Sequence, residues 1–272
     1  MPAMTSRRGS RKHVLEWVES PSFLAELNDF LKPTGAVVSA SDPRMPTGSA
    51  KPREARLNVV GRDFLPSFSR REEVGGWWLA TPSRGNTPNW DIASACTVRG
   101  QRGLVLVEAK AHELELKKEG KAPPARRGRQ RELEPSDDSK ANHDRIRLAI
   151  AEACDALRLI DPRVQLSSER HYQLANRVAF AWRLASLGVP VVLVYLGFLG
   201  DTGIADVGPP FMSKEAWEQA LRSHTTDVFP AELWERPIEC GGAPFWFLAR
   251  SRNVREPSPP RAAFTGAWRD GG

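Results

Sequence analysis

The sequence predicts an α/β fold, and three stretches carry the prediction. Residues 104–107 are apolar on both faces, which is typical of a strand buried on both sides. Residues 170–187 have a helical pattern that ends at Gly188-Val189-Pro190, and the β-branched run 191–198 follows at once. A buried strand, a helix and a second buried strand predict a crossover connection, in which the helix packs on a parallel pair of strands.

Composition narrows the class of protein. The 272-residue chain has a formal net charge of +6 and a pI near 9.5, which favours a polyanionic partner. Its three cysteines, Cys96, Cys154 and Cys240, are far apart and odd in number, which argues against a disulfide framework and fits a reducing, cytoplasmic compartment. The longest apolar run, 189–199, is too short to span a bilayer, and residues 1–12 lack the core of a secretion signal. We therefore expect a soluble protein that makes no membrane contact.

Ahead of the central stretch, the pattern predicts a helix, a loop and a strand. Ser20-Pro21 is a typical helix start and Lys32-Pro33 a helix stop. The stretch 33–58 is rich in Pro, Ser, Gly and Arg, which predicts a loop or linker. The apolar run 75–80 then predicts the first strand of the sheet.

The stretch 88–112 predicts a β-hairpin that contains the candidate site residues Asp91, Glu108 and Lys110. Two apolar runs flank a turn rich in Gly and Arg. With the turn centred on residues 100–101, Asp91 lies opposite Lys110 and diagonal to Glu108. Side chains alternate along a strand, so Glu108 and Lys110 share one face. We therefore expect two carboxylates and one ammonium group to converge where these strands end.

Asp91 followed by Glu108-x-Lys110, at the end of an apolar strand, resembles the PD-(D/E)xK motif of restriction-endonuclease-like nucleases. Pro88 matches the proline of the motif, although two residues separate it from Asp91, whereas the family often has Pro next to Asp. The resemblance is to a divergent superfamily and covers about residues 77–200. It implies an α/β fold with a mixed sheet of four to five strands flanked by helices.

Composition, together with the resemblance for the core at about residues 77–200, suggests how the chain is organised. Residues 1–12 are expected to be a disordered basic terminus and residues 13–250 a single nuclease-like domain. Within that domain, residues 117–141 are expected to form a basic loop insertion. Residues 251–272, in which Pro, Arg and Gly dominate, predict a disordered tail.

The chemistry that the resemblance implies is metal-dependent hydrolysis of phosphodiester bonds, with DNA as the expected substrate. Asp91, Glu108 and the carbonyl of Ala109 would hold Mg²⁺ or Mn²⁺, hard cations that prefer oxygen ligands. Lys110 would orient or help to deprotonate the attacking water. Gln173, in the first turn of the predicted helix, would position the water or the substrate backbone.

Short motifs are weakly specific, and other interpretations stay open. Two more Glu-x-Lys triplets, at 115–117 and 119–121, lie in a charged, Gly- and Pro-rich stretch that predicts solvated loop. Glu108 and Lys110 could also form an ordinary ion pair at a strand end. The alternative functions are a non-catalytic nucleic-acid-binding module that retains the nuclease fold, and an enzyme that uses the carboxylates on a small molecule.

A basic segment follows the predicted catalytic strand. It either lies along phosphates, where each contact adds affinity and salt sensitivity, or is a solvated insertion.

On the helix, Arg177 is one turn beyond Gln173 and shares its face, where both could instead solvate the helix flank. Many nucleases of this kind pair to cut both strands, so a homodimer is a possible assembly. The residues predicted to contact nucleic acid are Lys117, Lys118, Lys121, Arg126, Arg127, Arg129 and Arg177.

Three further elements are predicted in the second half of the chain. Asn142 is expected to cap a helix that extends to about residue 160. Residues 213–221 predict a short amphipathic helix with Trp217 facing inward, and the apolar run 244–249 predicts another strand.

Some residues are weaker candidates for the site. His112 shares a strand face with Glu108 and Lys110, but a surface histidine at a strand end fits equally well. An N-terminal glutamate joins the metal in some nucleases of the family, and here Glu16, Glu19 and Glu26 are in question, although solvated helix faces are the simpler interpretation.

Overall fold

The computed structural model describes residues 8–57, 64, 68–117, 119–121, 126–127, 132–133 and 136–254. The helices in this part of the chain are α1 (Ser10–Val18), α2 (Phe23–Leu31), α3 (Phe68–Trp78), α4 (Asp137–Arg158), α5 (Tyr172–Ser186) and α6 (Lys214–Thr225). The strands are β1 (Ala36–Val37), β2 (Arg44–Met45), β3 (Ala55–Arg56), β4 (Asn89–Trp90), β5 (Ile92–Val98), β6 (Gln101–Lys110), β7 (Arg126–Arg127), β8 (Glu132–Leu133), β9 (Val191–Leu199), β10 (Ile238–Glu239) and β11 (Pro244–Asn253).

A mixed seven-stranded sheet forms the centre, in the order β1-β5-β6-β9-β11-β10, with β2 also paired to β5. Strands β5 and β6 are antiparallel, whereas β6, β9 and β11 are parallel neighbours. The α/β class is therefore confirmed, and so are the strands predicted at 191–198 and 244–249. The predicted count of four to five strands was too low, because β1, β2 and β10 are two residues long and carry no alternating pattern.

Helices cover both faces of the sheet, and successive side chains of the central strands point into two different apolar cores. Leu104 and Leu106 belong to the core shared with α3, α4, α5 and α6, whereas Val105 and Val107 belong to the core shared with α1 and α2. A strand that is buried on both faces has a continuous apolar sequence, which explains why residues 104–107 have no polar side.

The α5 helix returns the chain from one end of β6 to the other. It has 15 residues, and Val191, soon after its end, pairs with Leu104 of β6. A helix of this length rises about 22 Å, which matches the roughly 20 Å from Leu104 to Lys110 along an extended strand. The first turn of α5 therefore lies beside the end of β6, as the crossover predicts.

Two stretches adopt structures that the sequence pattern did not predict. The strand predicted at 75–80 is wrong. Residues 75–78 form the end of α3, in which Val74, Trp77 and Trp78 are buried at helical spacing. The aromatic packing of that face outweighs the low helix propensity of Gly75 and Gly76. The stretch 33–58, predicted as a loop, contains the short strands β1, β2 and β3.

The predicted helix ends shift by a few residues. The α2 helix begins at Phe23, beyond the predicted Ser20-Pro21 start, and ends at Leu31 as predicted. The α4 helix is capped by Ser136, whose hydroxyl accepts from the Ser139 N–H at 3.3 Å. The predicted cap, Asn142, is instead buried inside α4 and accepts from the Thr81 N–H at 2.8 Å.

Both predicted disordered termini contain regular structure where they adjoin the domain. Helix α1 begins at Ser10, inside the stretch 1–12, and β11 continues to Asn253, inside the stretch 251–272. The helix predicted at 213–221 is confirmed as α6, in which Trp217 is fully buried.

Candidate active site

Glu108 and Lys110 lie at the end of β6 on the face that packs against α5. They continue the alternation of Leu104 and Leu106, so their side chains point into the same layer as the helix. Both are buried, with side chains only 3% and 6% exposed. Burying two opposite charges is costly unless they are paired and hydrogen-bonded, and here they are.

Lys110 holds Glu108 and Gln173 together. Its Nζ donates to Glu108 Oε1 at 2.5 Å and to Gln173 Oε1 at 2.8 Å. Of the three groups predicted to converge, the Glu108 carboxylate and the Lys110 ammonium group are therefore in direct contact, and the Gln173 amide joins them. Gln173 reaches this point because it is in the first turn of α5.

Arg177 engages the other oxygen of Glu108. Its Nε donates to Glu108 Oε2 at 2.7 Å and its Nη2 to the carbonyl of Asn89 at 2.7 Å. The guanidinium also lies over the ring of Trp90, 4.7 Å from the centroid. The side chain is 7% exposed and lines the same cavity as Glu108, so the nucleic-acid contact predicted for it stays a prediction.

Asp91 lies between β4 and β5 and faces the end of β6. Its Oδ2 accepts from the Ala109 N–H at 2.8 Å, and no protein donor to Oδ1 is found among the described residues. The hairpin register pairs Ile92 with Val107 and Val98 with Gln101, so the turn is formed by residues 99–100. Extending that register by one pair places Asp91 opposite Glu108, and not opposite Lys110 as predicted.

The two carboxyl groups have opposite shifts in pKa. Burial, reinforced by the nearby Glu108 charge, raises the pKa of Asp91 to about 7. Burial also acts against the ionised form of Glu108, but the charges of Arg177 and Lys110 outweigh it, so its pKa is lowered. Near neutral pH, Glu108 is therefore the fixed anion and Asp91 the group that exchanges a proton.

These side chains line one cavity of about 310 Å³. Its floor is formed by buried residues of β6 and α5, and its rim by half-buried and exposed residues from four other places in the chain. The residues that line it are Ser10, Arg11, Glu54, Asn89, Asp91, Glu108, Ala109, Lys110, Glu115, Lys117, Gln173 and Arg177. Every residue predicted to be catalytic or metal-binding is among them.

Hydrogen bonds join five rim residues, Ser10, Arg11, Glu54, Asn89 and Glu115, which we call the collar. Arg11 Nη1 pairs with Glu54 Oε1, and the Asn89 amide donates to Glu54 Oε2 at 3.0 Å. On the other side, the Ser10 hydroxyl donates to Glu115 Oε1 at 3.0 Å. The first turn of α1 therefore connects the β3–β4 side of the rim with the segment that follows β6.

Sequence reasoning missed most of the collar. Glu54 belongs to the stretch that was predicted to be a loop, and no spacing links it to Asp91. Glu115 was expected to face water, but its Oε2 accepts from the Ala111 N–H at 2.5 Å. Its position five residues after the end of β6 could have been a signal, because a carboxylate just beyond a strand can accept from the free N–H groups at the strand end.

Several weaker candidates do not line the cavity. His112 is buried, with its Nε2 3.8 Å from Glu115 Oε1, and its backbone pairs with Pro210. Glu26 accepts from Trp17, Ser22 and Arg252, away from the cavity. Glu16 contacts Lys12 and His13, and Glu19 contacts Ser49.

The structure describes only some of the residues that were predicted to contact nucleic acid. Lys117 is exposed on the rim, and Lys121 lies over the ring of Tyr172. Arg126 and Arg127 are in β7, which pairs with β8. Lys118 and Arg129 lie outside the described residues.

The donor atoms are of the type that a hard divalent cation binds, because Mg²⁺ commonly takes one or two carboxylates and keeps several waters. Asp91 Oδ1 accepts no hydrogen bond from a described residue, whereas both oxygens of Glu108 accept from Lys110 and Arg177. The N–H and carbonyl of a strand residue point to the same neighbour, so the Ala109 carbonyl faces the side on which Asp91 lies. Within the described part of the chain, no three His, Cys, Asp or Glu side chains are grouped so as to hold a metal.

Comparison with known proteins gives no relative: no family model, no curated protein and no solved structure matches this chain. Within the residues that the structure describes, no helix is long and apolar enough to cross a membrane.

Proposed function

We propose that this protein is a metal-dependent nuclease that hydrolyses phosphodiester bonds, with DNA as the expected substrate. The observation that carries the proposal is that Asp91, Glu108, Lys110 and Gln173, from two strands and a helix, line one cavity. Cavities of about 410 and 480 Å³ lie elsewhere among the described residues, but neither contains a buried carboxylate–ammonium pair. The buried charges, and not the volume, therefore distinguish this cavity from the two larger ones.

Each side chain has a role that follows from its contacts. Asp91 and Glu108, with the Ala109 carbonyl, would hold Mg²⁺ or Mn²⁺. When bound, the cation would lower the pKa of water and neutralise charge on the phosphate. Lys110 Nζ, fixed between Glu108 and Gln173, would donate to a phosphate oxygen or orient the attacking water. The attacking water would lose a proton to solvent as its oxygen bonds to phosphorus, the bond to the leaving oxygen would break, and the leaving oxygen would take up a proton from solvent.

A second function is favoured by one observation. Both oxygens of Glu108 are already engaged, by Lys110 and by Arg177, so a cation must compete with two basic groups. A non-catalytic nucleic-acid-binding module that retains the fold would keep this network for its stability alone.

Cleavage assays distinguish the two functions. Labelled linear and closed-circular DNA, single-stranded and duplex, are incubated with the full chain in Mg²⁺ or in EDTA. Hydrolysis that requires Mg²⁺ and is lost in Asp91→Asn supports the nuclease. The matched control is Asp155→Asn, at an exposed position of α4, which should cut like the wild type.

The same assays contain the result that would reject the nuclease. If every substrate is bound in a salt-sensitive way and none is cut, the binding module is the better proposal. Asp91→Asn is preferred to a Glu108 variant because removing Glu108 leaves Lys110 and Arg177 buried without their anion.

A further inference from the structure

We infer that the substrate of this site is a single strand of nucleic acid, or a strand separated from its partner, and not an intact base-paired duplex. The inference rests on the proposed hydrolytic function and adds the class of substrate to it. Three features of the cavity carry it: the depth of the reactive groups, the collar above them and the size of the space between.

The reactive groups lie at the bottom of the cavity. The side chains of Glu108, Lys110 and Arg177 are 3%, 6% and 7% exposed, while the rim residues Asn89 and Lys117 are exposed. A phosphate that touches Lys110 must therefore pass below the level of the rim.

The collar forms the sides of the cavity entrance. Its hydrogen bonds run from Asn89 through Glu54 to Arg11, and from Ser10 to Glu115. Arg11 Nη2 also donates to the Pro52 carbonyl at 2.8 Å, which fixes the first turn of α1 to the segment before β3. The rim therefore has hydrogen-bonded walls on two sides.

The space inside suits one nucleotide unit and not two paired strands. The cavity of about 310 Å³ is at the small end of the range of small-molecule sites. A strand in a duplex is held by pairing and stacking, and extracting one nucleotide costs a few kcal/mol. An unpaired strand does not meet that cost, so it enters more readily.

The surroundings provide for the rest of such a strand. Lys117 is exposed on the rim, and the basic insertion that follows it starts against the beginning of α5. There the Lys121 N–H donates to the Ser168 carbonyl at 2.6 Å and the Tyr172 N–H to the Glu119 carbonyl at 3.1 Å. Lys117 at this rim can contact the phosphate backbone of a flexible strand.

Relative cleavage rates test the inference. The full chain with Mg²⁺ is given equal amounts of a closed single-stranded circle, a linear single strand, a relaxed closed duplex circle, and that duplex circle with a single-stranded gap. We expect either single strand and the gapped circle to be cut at least about ten-fold faster than the relaxed duplex, the factor that corresponds to 1.4 kcal/mol. Equal or faster cutting of the relaxed duplex overturns the inference while leaving the nuclease intact. Absence of metal-dependent cutting on every substrate overturns both.

The collar itself is tested by Arg11→Ser. The ratio of single-strand to duplex cleavage should fall in this variant, because the link between α1 and Glu54 is lost. The matched control is Arg8→Ser, which removes an exposed ion pair with Asp206 outside the cavity, and its ratio should equal that of the wild type. An unchanged ratio in a folded Arg11→Ser protein overturns the role given to the collar.

Discussion

Glu108 is the residue on which the buried network depends. It is the anion for both Lys110 and Arg177, and all three side chains are nearly inaccessible. Removing one member of a buried ion pair leaves the other charges without compensation, which costs about 3–5 kcal/mol. We therefore expect Glu108→Gln to lower the free energy of unfolding by about that amount, measured by chemical denaturation in EDTA.

The control for this substitution is Glu218→Gln. Glu218 is partly exposed and lies 3.7 Å from Lys214, so its loss should change stability by less than about 0.5 kcal/mol. A Glu108→Gln protein as stable as this control would mean that Lys110 and Arg177 do not need their anion.

Asp91 gives the site its dependence on pH. Its pKa is raised by burial and by Glu108 from 3.8 to about 7, so the folded state holds a proton that the unfolded chain releases. The stability that this proton confers is complete below pH 3.8 and is lost as the pH rises towards 7. The Asp91→Asn variant has no titrating group at this position. Its free energy of unfolding, relative to that of the wild type, should therefore increase by a few kcal/mol from pH 3.8 to about 7 and then level off.

Urea denaturation from pH 4 to 8, in EDTA, measures this difference. Glu108 contributes in the opposite direction, because its pKa is lowered, but it is present in both proteins and its effect largely cancels. Asp155→Asn, on the exposed side of α4, should give a flat difference. A flat difference for Asp91→Asn as well would contradict the raised pKa.

At the scale of elements, the hairpin explains how a wrong register still placed Asp91, Glu108 and Lys110 on one face. Arg99 and Gly100 both have positive φ, 49° and 85°, which is the geometry of a two-residue hairpin turn, and a left-handed arginine is hard to foresee. The resulting pairing differs from the predicted one by an even number of residues. Because side chains repeat every two residues, Asp91, Glu108 and Lys110 kept their shared face.

Helix α6 packs closely against the sheet at Gly197. Gly197 of β9, the partner of Lys110, packs under Trp217, and a Cβ there would lie 2.4 Å from the indole. Trp217 is fully buried and cannot move freely, so Gly197→Ala should destabilise the protein by about 1–3 kcal/mol through overpacking.

Gly76→Ala is the matched control, and we expect it to change stability in the opposite direction. Gly76 is exposed on α3 and a Cβ there meets nothing within 4 Å, so alanine should stabilise the helix by up to about 1 kcal/mol. Thermal denaturation of both variants measures the contrast. A Gly197→Ala protein at least as stable as the wild type would contradict the close packing of α6.

Over the whole molecule, the sequence predicts the central layers well and the rim of the site poorly. The runs that became β6, α5 and β9 are long and periodic, so burial alone identifies them. The collar residues Arg11 and Glu54 come from a helix start and from a segment without periodicity, and only the folded chain brings them to the cavity. Local pattern therefore locates the buried floor of the cavity, whereas tertiary packing determines which residues form its rim.

Cation binding should be visible in the stability of the whole fold, independently of activity. A ligand that binds only the folded state stabilises it by about 2.7 kcal/mol at 100 times its dissociation constant. For a domain of this size, that corresponds to an increase in Tm of roughly 5–11 °C. We therefore expect Mg²⁺ to raise the Tm of the wild type, with a larger effect above pH 7, where Asp91 is ionised.

Two variants separate a specific site from a general effect of salt. Asp91→Asn removes the carboxylate whose Oδ1 is open, so its Tm should not respond to Mg²⁺, whereas Asp155→Asn should respond like the wild type. Replacing Mg²⁺ with an equal ionic strength of NaCl controls for screening. If Asp91→Asn and the wild type respond alike, the cation does not bind between Asp91 and Glu108, and the buried charges at the end of β6 stabilise the fold without holding a metal.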